Sequence, residues 1–141
     1  MGYSELKARQ GEEYNKFPLG VAFGDRQFEK MMSKWGLSTS IEDCKKIVSL
    51  GSGCYIRKQD VNGYCDMLEK FNKEKKDFLA TKEGLKDALK YEFDNQECGY
   101  TWEFEEGITA LGWNVKKFFA SKKRAAIFEE AKQEYIDSLE D

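Results

Sequence analysis

The chain has 141 residues, with 23 basic and 26 acidic side chains, a net charge of -3, four cysteines, one proline and no histidine. The missing imidazole excludes Ser-His-Asp and Cys-His catalysis, His-ligated zinc and haem, and any imidazole-based pH switch. With 40% hydrophobic and 14% aromatic residues the chain can build a core, because each aromatic ring removes roughly 150–250 Å² from water, so a disordered acidic tail is excluded too.

In chain order, a first, very polar helix is predicted from Ser4 as N-cap to about Asn15, ending before Pro18. The apolar run from Phe17 to Gly24 is too short for a helix and is expected as buried coil or strand. Asp25 is predicted to cap a second helix, in which Phe28, Met31, Met32 and Trp35 follow the i, i+3, i+4, i+7 rule and Gly36 takes the C′ position. Ser40 caps a short helix expected to carry Ile41, Cys44, Ile47 and Val48, followed by a strand over Cys54–Arg57. A long helix is predicted from Asp60 through Val61, Tyr64, Met67, Leu68, Phe71 and Phe78, and another from Thr81 through Leu85, Ala88, Leu89 and Phe93. Cys98–Trp102 carries strand-forming residues and is expected to pair with Cys54–Arg57. A short helix follows from Glu103, bearing Phe104, Ile108 and Leu111 and ended by Gly112. Asn114 is expected to cap the last helix or helix pair, whose Ile127, Ala131 and Tyr135 form an i, i+4 ridge that needs a groove on the body or on another molecule.

The fold class predicted is mainly α: a compact orthogonal assembly of about six helices with at most one small two-stranded β element. No linker, repeat or low-complexity tract marks a boundary, so residues 1–141 are expected as one domain with 114–141 as its helical extension. A basic n-region followed by an apolar stretch is absent from the start, nowhere do about 18 apolar residues run together, and Leu6 breaks the myristoylation pattern begun by Gly2. A cytoplasmic location is expected, with Cys44, Cys54, Cys65 and Cys98 as free thiols, since their spacing suits neither paired C-x-x-C knuckles nor a disulfide framework. Cys54, near Arg57, is the one candidate for a reactive thiol.

Charge is distributed unevenly. Asp87, Glu92, Asp94, Glu97, Glu103, Glu105 and Glu106 face only Lys90 in their stretch, with Tyr91, Tyr100 and Trp102 interleaved. This pattern suits a protein-binding face, with aromatic anchors and carboxylates that steer encounter with a basic, nucleic-acid-binding groove on a partner. A solvated rim around core aromatics gives the same pattern. The block Lys116, Lys117, Lys122, Lys123 and Arg124, with Phe118, Phe119 or Trp113 for stacking, suits direct nucleic-acid binding as the alternative. A third reading is a small enzyme using Cys54 or carboxylates drawn from Asp94, Glu97, Glu103 and Glu106, which are also the oxygens a magnesium or calcium ion would need. Gly51-Ser52-Gly53 has the flexibility of a phosphate cradle but lies in no P-loop or dinucleotide fingerprint, so it is read as a turn. Neither a cofactor nor a metal is expected.

Several phrases, among them Glu5-Leu6-Lys7-Ala8-Arg9-Gln10, Pro18-Leu19-Gly20-Val21-Ala22-Phe23, Gly53-Cys54-Tyr55-Ile56-Arg57-Lys58 and Tyr91-Glu92-Phe93-Asp94-Asn95-Gln96-Glu97, resemble a group of short uncharacterised proteins. That group occurs in gram-positive gut bacteria and in their phages and integrative elements. The likeness runs from about residue 6 to 112 and leaves the helix after Asn114 outside it. It carries over no activity and no functional residue. What it implies is a mobile-element setting, in which small acidic proteins inhibit host or defence machinery by docking on it.

Overall fold

The structure, a computed structural model, describes residues 1–140. Among these, nine α-helices, one 3₁₀ turn and three short strands make a mainly helical protein. The chain divides into two compact units, one of Gly11–Phe71 and one of Met1–Gln10 with Asn72–Asp141, and the divisions fall inside helices α1 (Tyr3–Lys16) and α4 (Val61–Leu79). No described helix is long and apolar enough to cross a membrane.

The Gly11–Phe71 unit is built on an antiparallel sheet of order β1-β3-β2, from β1 (Gly20–Val21), β2 (Ile47–Gly51) and β3 (Cys54–Arg57). The hairpin between β2 and β3 turns through Ser52 and Gly53, both at positive φ (52° and 77°), as a tight two-residue turn requires. Gly51-Ser52-Gly53 is thus a structural turn. Helix α2 (Asp25–Lys34) packs Met31 and Met32 into a small core with Ala22, where Phe28 meets Tyr55 edge to face at 5.5 Å. Gly36, at φ 72°, ends this helix as predicted: its N–H bonds the Ser33 carbonyl and that of Leu37 bonds Met32.

Four expectations are corrected in this unit. The N-cap of α2 is Gly24 and not Asp25, which is instead the first helical residue, while Gln27 Oε1 reaches back to the Phe23 N–H at 2.8 Å. The run from Phe17 to Gly24 is only partly buried, because Val21 and Phe23 are exposed. Ser40 does cap a helix, accepting from the Asp43 N–H, but α3 (Ile41–Cys44) is a single turn, and Ile47 and Val48 belong to β2. Their β-branched side chains suit a pleat better than a helix. The third strand also enlarges the predicted two-stranded element, since β3 pairs with β1 and β2 and not with Cys98–Trp102.

In the other unit, α5 (Lys82–Asn95) is central. Thr81 caps it by accepting from the Gly84 N–H, and it buries Leu85, Ala88, Leu89 and Phe93 as the periodicity predicts. The Phe93 ring meets Phe104, Phe128 and Tyr135 with centroids 5.2, 5.6 and 5.8 Å away. Helix α9 (Lys122–Leu139) lays its Ile127, Ala131 and Tyr135 ridge against this core, so the groove that ridge requires belongs to the chain's own body. Lysines at i, i+4 and i+8 of α5 flank the seam: Lys82 pairs with Glu130, Lys86 with Glu130 and Glu134, and Lys90 with Glu134. Between them lie α6 (Cys98–Thr101), α7 (Glu105–Ala110) and α8 (Val115–Phe119), the last capped by Asn114. The count of nine helices exceeds the six predicted because single turns such as α3, α6 and α8 carry too few residues to show a period.

Candidate functional site

The acidic stretch separates into two groups once folded. Glu92 is buried and Asp87 half-buried. Asp87 Oδ2 accepts the Tyr3 N–H at 2.6 Å at the start of α1. Glu92 is 3% exposed, with its Oε1 3.7 Å from Lys7 Nζ, an ammonium that also lies 4.9 Å from the Tyr91 ring centroid. Both carboxylates fasten α1 to α5.

Asp94, Glu97, Glu103, Glu105 and Glu106 are exposed, and among the described residues none of them pairs with a cation; Asp94 only accepts the Tyr135 hydroxyl at 3.3 Å. They surround the single turn α6, which is entered at Glu97 (φ 55°) and left at Trp102 (φ 61°), both in the left-handed region. That conformation costs non-glycine residues of order 1–3 kcal/mol each. The turn is held by Cys98, which is fully buried and whose Sγ donates to the Glu103 carbonyl at 3.4 Å. Burial pushes the Cys98 thiol up, with the Glu106 charge adding to it, so it is an unreactive anchor. The result is a projecting Tyr100, 92% exposed, beside Trp102, 58% exposed, whose ring leans edge-on against Phe104 at 5.2 Å. Leu139 is exposed near Gly99 and extends the apolar surface. At the foot of this face, Glu106 is held above the usual carboxylate range, first by its hydrogen bond to the Glu103 carboxylate and then by burial and the Glu103 charge.

The alternative basic block is divided as well. Lys116, Lys117, Lys122 and Lys123 are exposed, on α8 and in the first turn of α9. Arg124 turns inward: its Nε and Nη2 donate to the Phe118 and Lys117 carbonyls at 3.1 and 2.7 Å, and its guanidinium lies 4.6 Å from the Trp113 centroid. Phe118 is fully buried and Phe119 packs on Phe128, so neither is offered for base stacking. The thiol reading loses its charge argument, because the Arg57 guanidinium near Cys54 is engaged by Asp60 at 2.8 Å. Among the described residues no group of three or more Cys, Asp or Glu side chains converges on a point that could hold a metal ion. The sequence reading does not foresee the inward Glu92 and Arg124 or the tether made by Asp87; the only available signal was that Glu92 stands within the apolar period of α5, three residues after Leu89 and four after Ala88.

The described fold is thus mainly helical with a small sheet, and one face of it is acidic and aromatic. The chain matches the Family of unknown function (DUF7659) over residues 2–134 and belongs to that family. The match runs on through most of α9, well beyond residue 112 where the likeness read from the phrases ends. No curated protein and no solved structure matches the chain.

Proposed function

We propose that this protein is a non-enzymatic protein-binding module whose face of Asp94, Glu97, Tyr100, Trp102, Glu103, Glu105 and Glu106 docks on a basic surface of another protein. One observation carries this reading: the largest exposed aromatic side chains of the unit project from a strained turn and are ringed by carboxylates that have no cation of their own. Binding hot spots are enriched in Tyr and Trp, and a desolvated aromatic anchor with a complementary charged rim is how such contacts gain both affinity and encounter rate. The Glu103–Glu106 contact adds to this, since an arginine or lysine from a partner would relieve a repulsion that the free protein carries. The basic surface that fits is the nucleic-acid-binding groove of a host or defence protein. A cytoplasmic inhibitor encoded by a phage or mobile element accords with the resemblance to such proteins.

Two variants test it in affinity capture from host lysate at low and high salt: Glu103→Lys/Glu105→Lys/Glu106→Lys and Tyr100→Ala. The triple reversal should abolish capture, and Tyr100→Ala should cost about 2 kcal/mol or more of binding, with the thermal unfolding of each variant close to that of the parent. Raising the salt should weaken capture by the parent. Capture that survives both variants removes the acidic face from the mechanism. A gel shift with single- and double-stranded nucleic acid, lost on replacing Lys116, Lys117, Lys122 and Lys123, would instead support the direct binder.

A further inference from the structure

A groove of about 450 Å³ opens within the unit that contains α5 and α9, and none of the acidic-face residues lines it. Its floor is hydrocarbon, from Leu85, Leu111, Ile127 and one side of Trp113, and its rim carries Lys75, Lys76 and Lys123. None of these three lysines has an ion-pair partner among the described residues, and no Asp or Glu lines the groove. The volume is that of a small-molecule site.

The polar side chains around the groove decide what kind of anion fits. Thr81 Oγ1 already accepts the Gly84 N–H at 3.0 Å and donates to the Phe78 carbonyl at 3.2 Å. Ser121 Oγ accepts the Arg124 N–H at 3.2 Å, and Arg124 itself is spent on the carbonyls of α8. Of the polar lining the Asn72 amide alone is left for a base or sugar, too little to hold a nucleotide, and inorganic phosphate would leave the apolar floor uncovered. The geometry points to a binding site for a free apolar carboxylate, an amphiphile whose hydrocarbon body covers Leu85, Leu111 and Ile127 while its head reaches the ammonium groups of Lys76 and Lys123. Apolar burial supplies the affinity, and the lysines select the negative head. This site shares no residue with the proposed protein-docking face, so either can fail without the other.

The test is calorimetric titration of the full chain with decanoate, decanol and decyltrimethylammonium, all below micelle formation. Two variants accompany it. Lys76→Glu/Lys123→Glu reverses exposed charges; the two helix-end effects oppose one another, favourable in the first turn of α9 and unfavourable in the last turn of α4, so the thermal unfolding of this variant is recorded beside its titration and should stay close to that of the parent. Ala80→Trp fills the groove from an exposed position on its lining. Decanoate should bind saturably with one site per chain and about tenfold or more tighter than decanol, the size of one charge-assisted contact, while the cationic amphiphile should not bind. The double reversal should bring decanoate down to the level of decanol without changing decanol, and Ala80→Trp should abolish both. The inference is overturned if decanoate does not saturate, if it binds no tighter than decanol, or if either variant leaves its affinity unchanged.

Discussion

Gly84 stands where no side chain fits. It is the third residue of α5, its N–H satisfies the Thr81 cap, and a Cβ placed on it would overlap the carbonyl oxygen of Phe78. In an unhindered helix, replacing glycine by alanine stabilises by about 1 kcal/mol. Here Gly84→Ala should destabilise by about 2–3 kcal/mol, because the obstacle is backbone and cannot rotate away. Urea unfolding checks the sign: a stabilised variant would mean that the α4–α5 corner is looser than described. The sequence marks Thr81 as a cap, but it cannot mark why Gly84 is glycine, since the obstructing carbonyl is positioned by the preceding helix end. The same holds for Glu97 and Trp102, where nothing in the residue type announces a left-handed backbone.

At the level of elements, the seam between α5 and α9 combines a periodic apolar ridge with a ladder of lysines and glutamates. The ridge was legible, because Ile127, Ala131 and Tyr135 recur every fourth residue. Its partner was not, because the pairing of Lys82, Lys86 and Lys90 with Glu130 and Glu134 joins positions more than forty residues apart. The Lys86 ammonium is held above its usual range by hydrogen bonds to Glu134 and Glu130. Ala131 is fully buried in this seam. Ala131→Leu should force the helices apart at a cost of about 1–3 kcal/mol, seen as a lower Tm by calorimetry. An unchanged Tm would show room beside Ala131 that a packed seam does not have. By contrast, a helix through Ile47 and Val48 rests on only two apolar positions after Cys44. In a run that short, helical and strand periods coincide, and β-branching was the better guide.

For the whole molecule, one consequence of folding reaches both compact units. Tyr3 in one is pushed up to about 12, chiefly by burial and then by the charges of Glu92 and Tyr91. Tyr64 in the other is pushed up to about 12, first by its hydrogen bond with Tyr14, whose hydroxyl lies 3.2 Å away, and then by burial. Unfolded tyrosine ionises near pH 10, so the folded chain holds these protons more tightly than the unfolded chain. The stability they contribute is complete below about pH 10 and is lost as the pH rises toward 12. Urea unfolding across that interval should show a steep alkaline loss of stability that Tyr3→Phe and Tyr64→Phe each flatten, with phenolate absorbance following the same groups. A slope indifferent to both substitutions would place the loss elsewhere.

The amino-acid sequence by itself determined which chemistry is excluded, that the chain is mainly helical, where most of the longer helices start and stop, and which apolar positions turn inward. These follow from composition, caps and periodicity, all of which act over a few residues. Only the tertiary structure decided which carboxylates of the acidic stretch face water, which cations of the basic block are spent on backbone carbonyls, and that free lysines border an apolar groove. Exposure and charge pairing depend on which distant segments meet, and no local pattern encodes that distance.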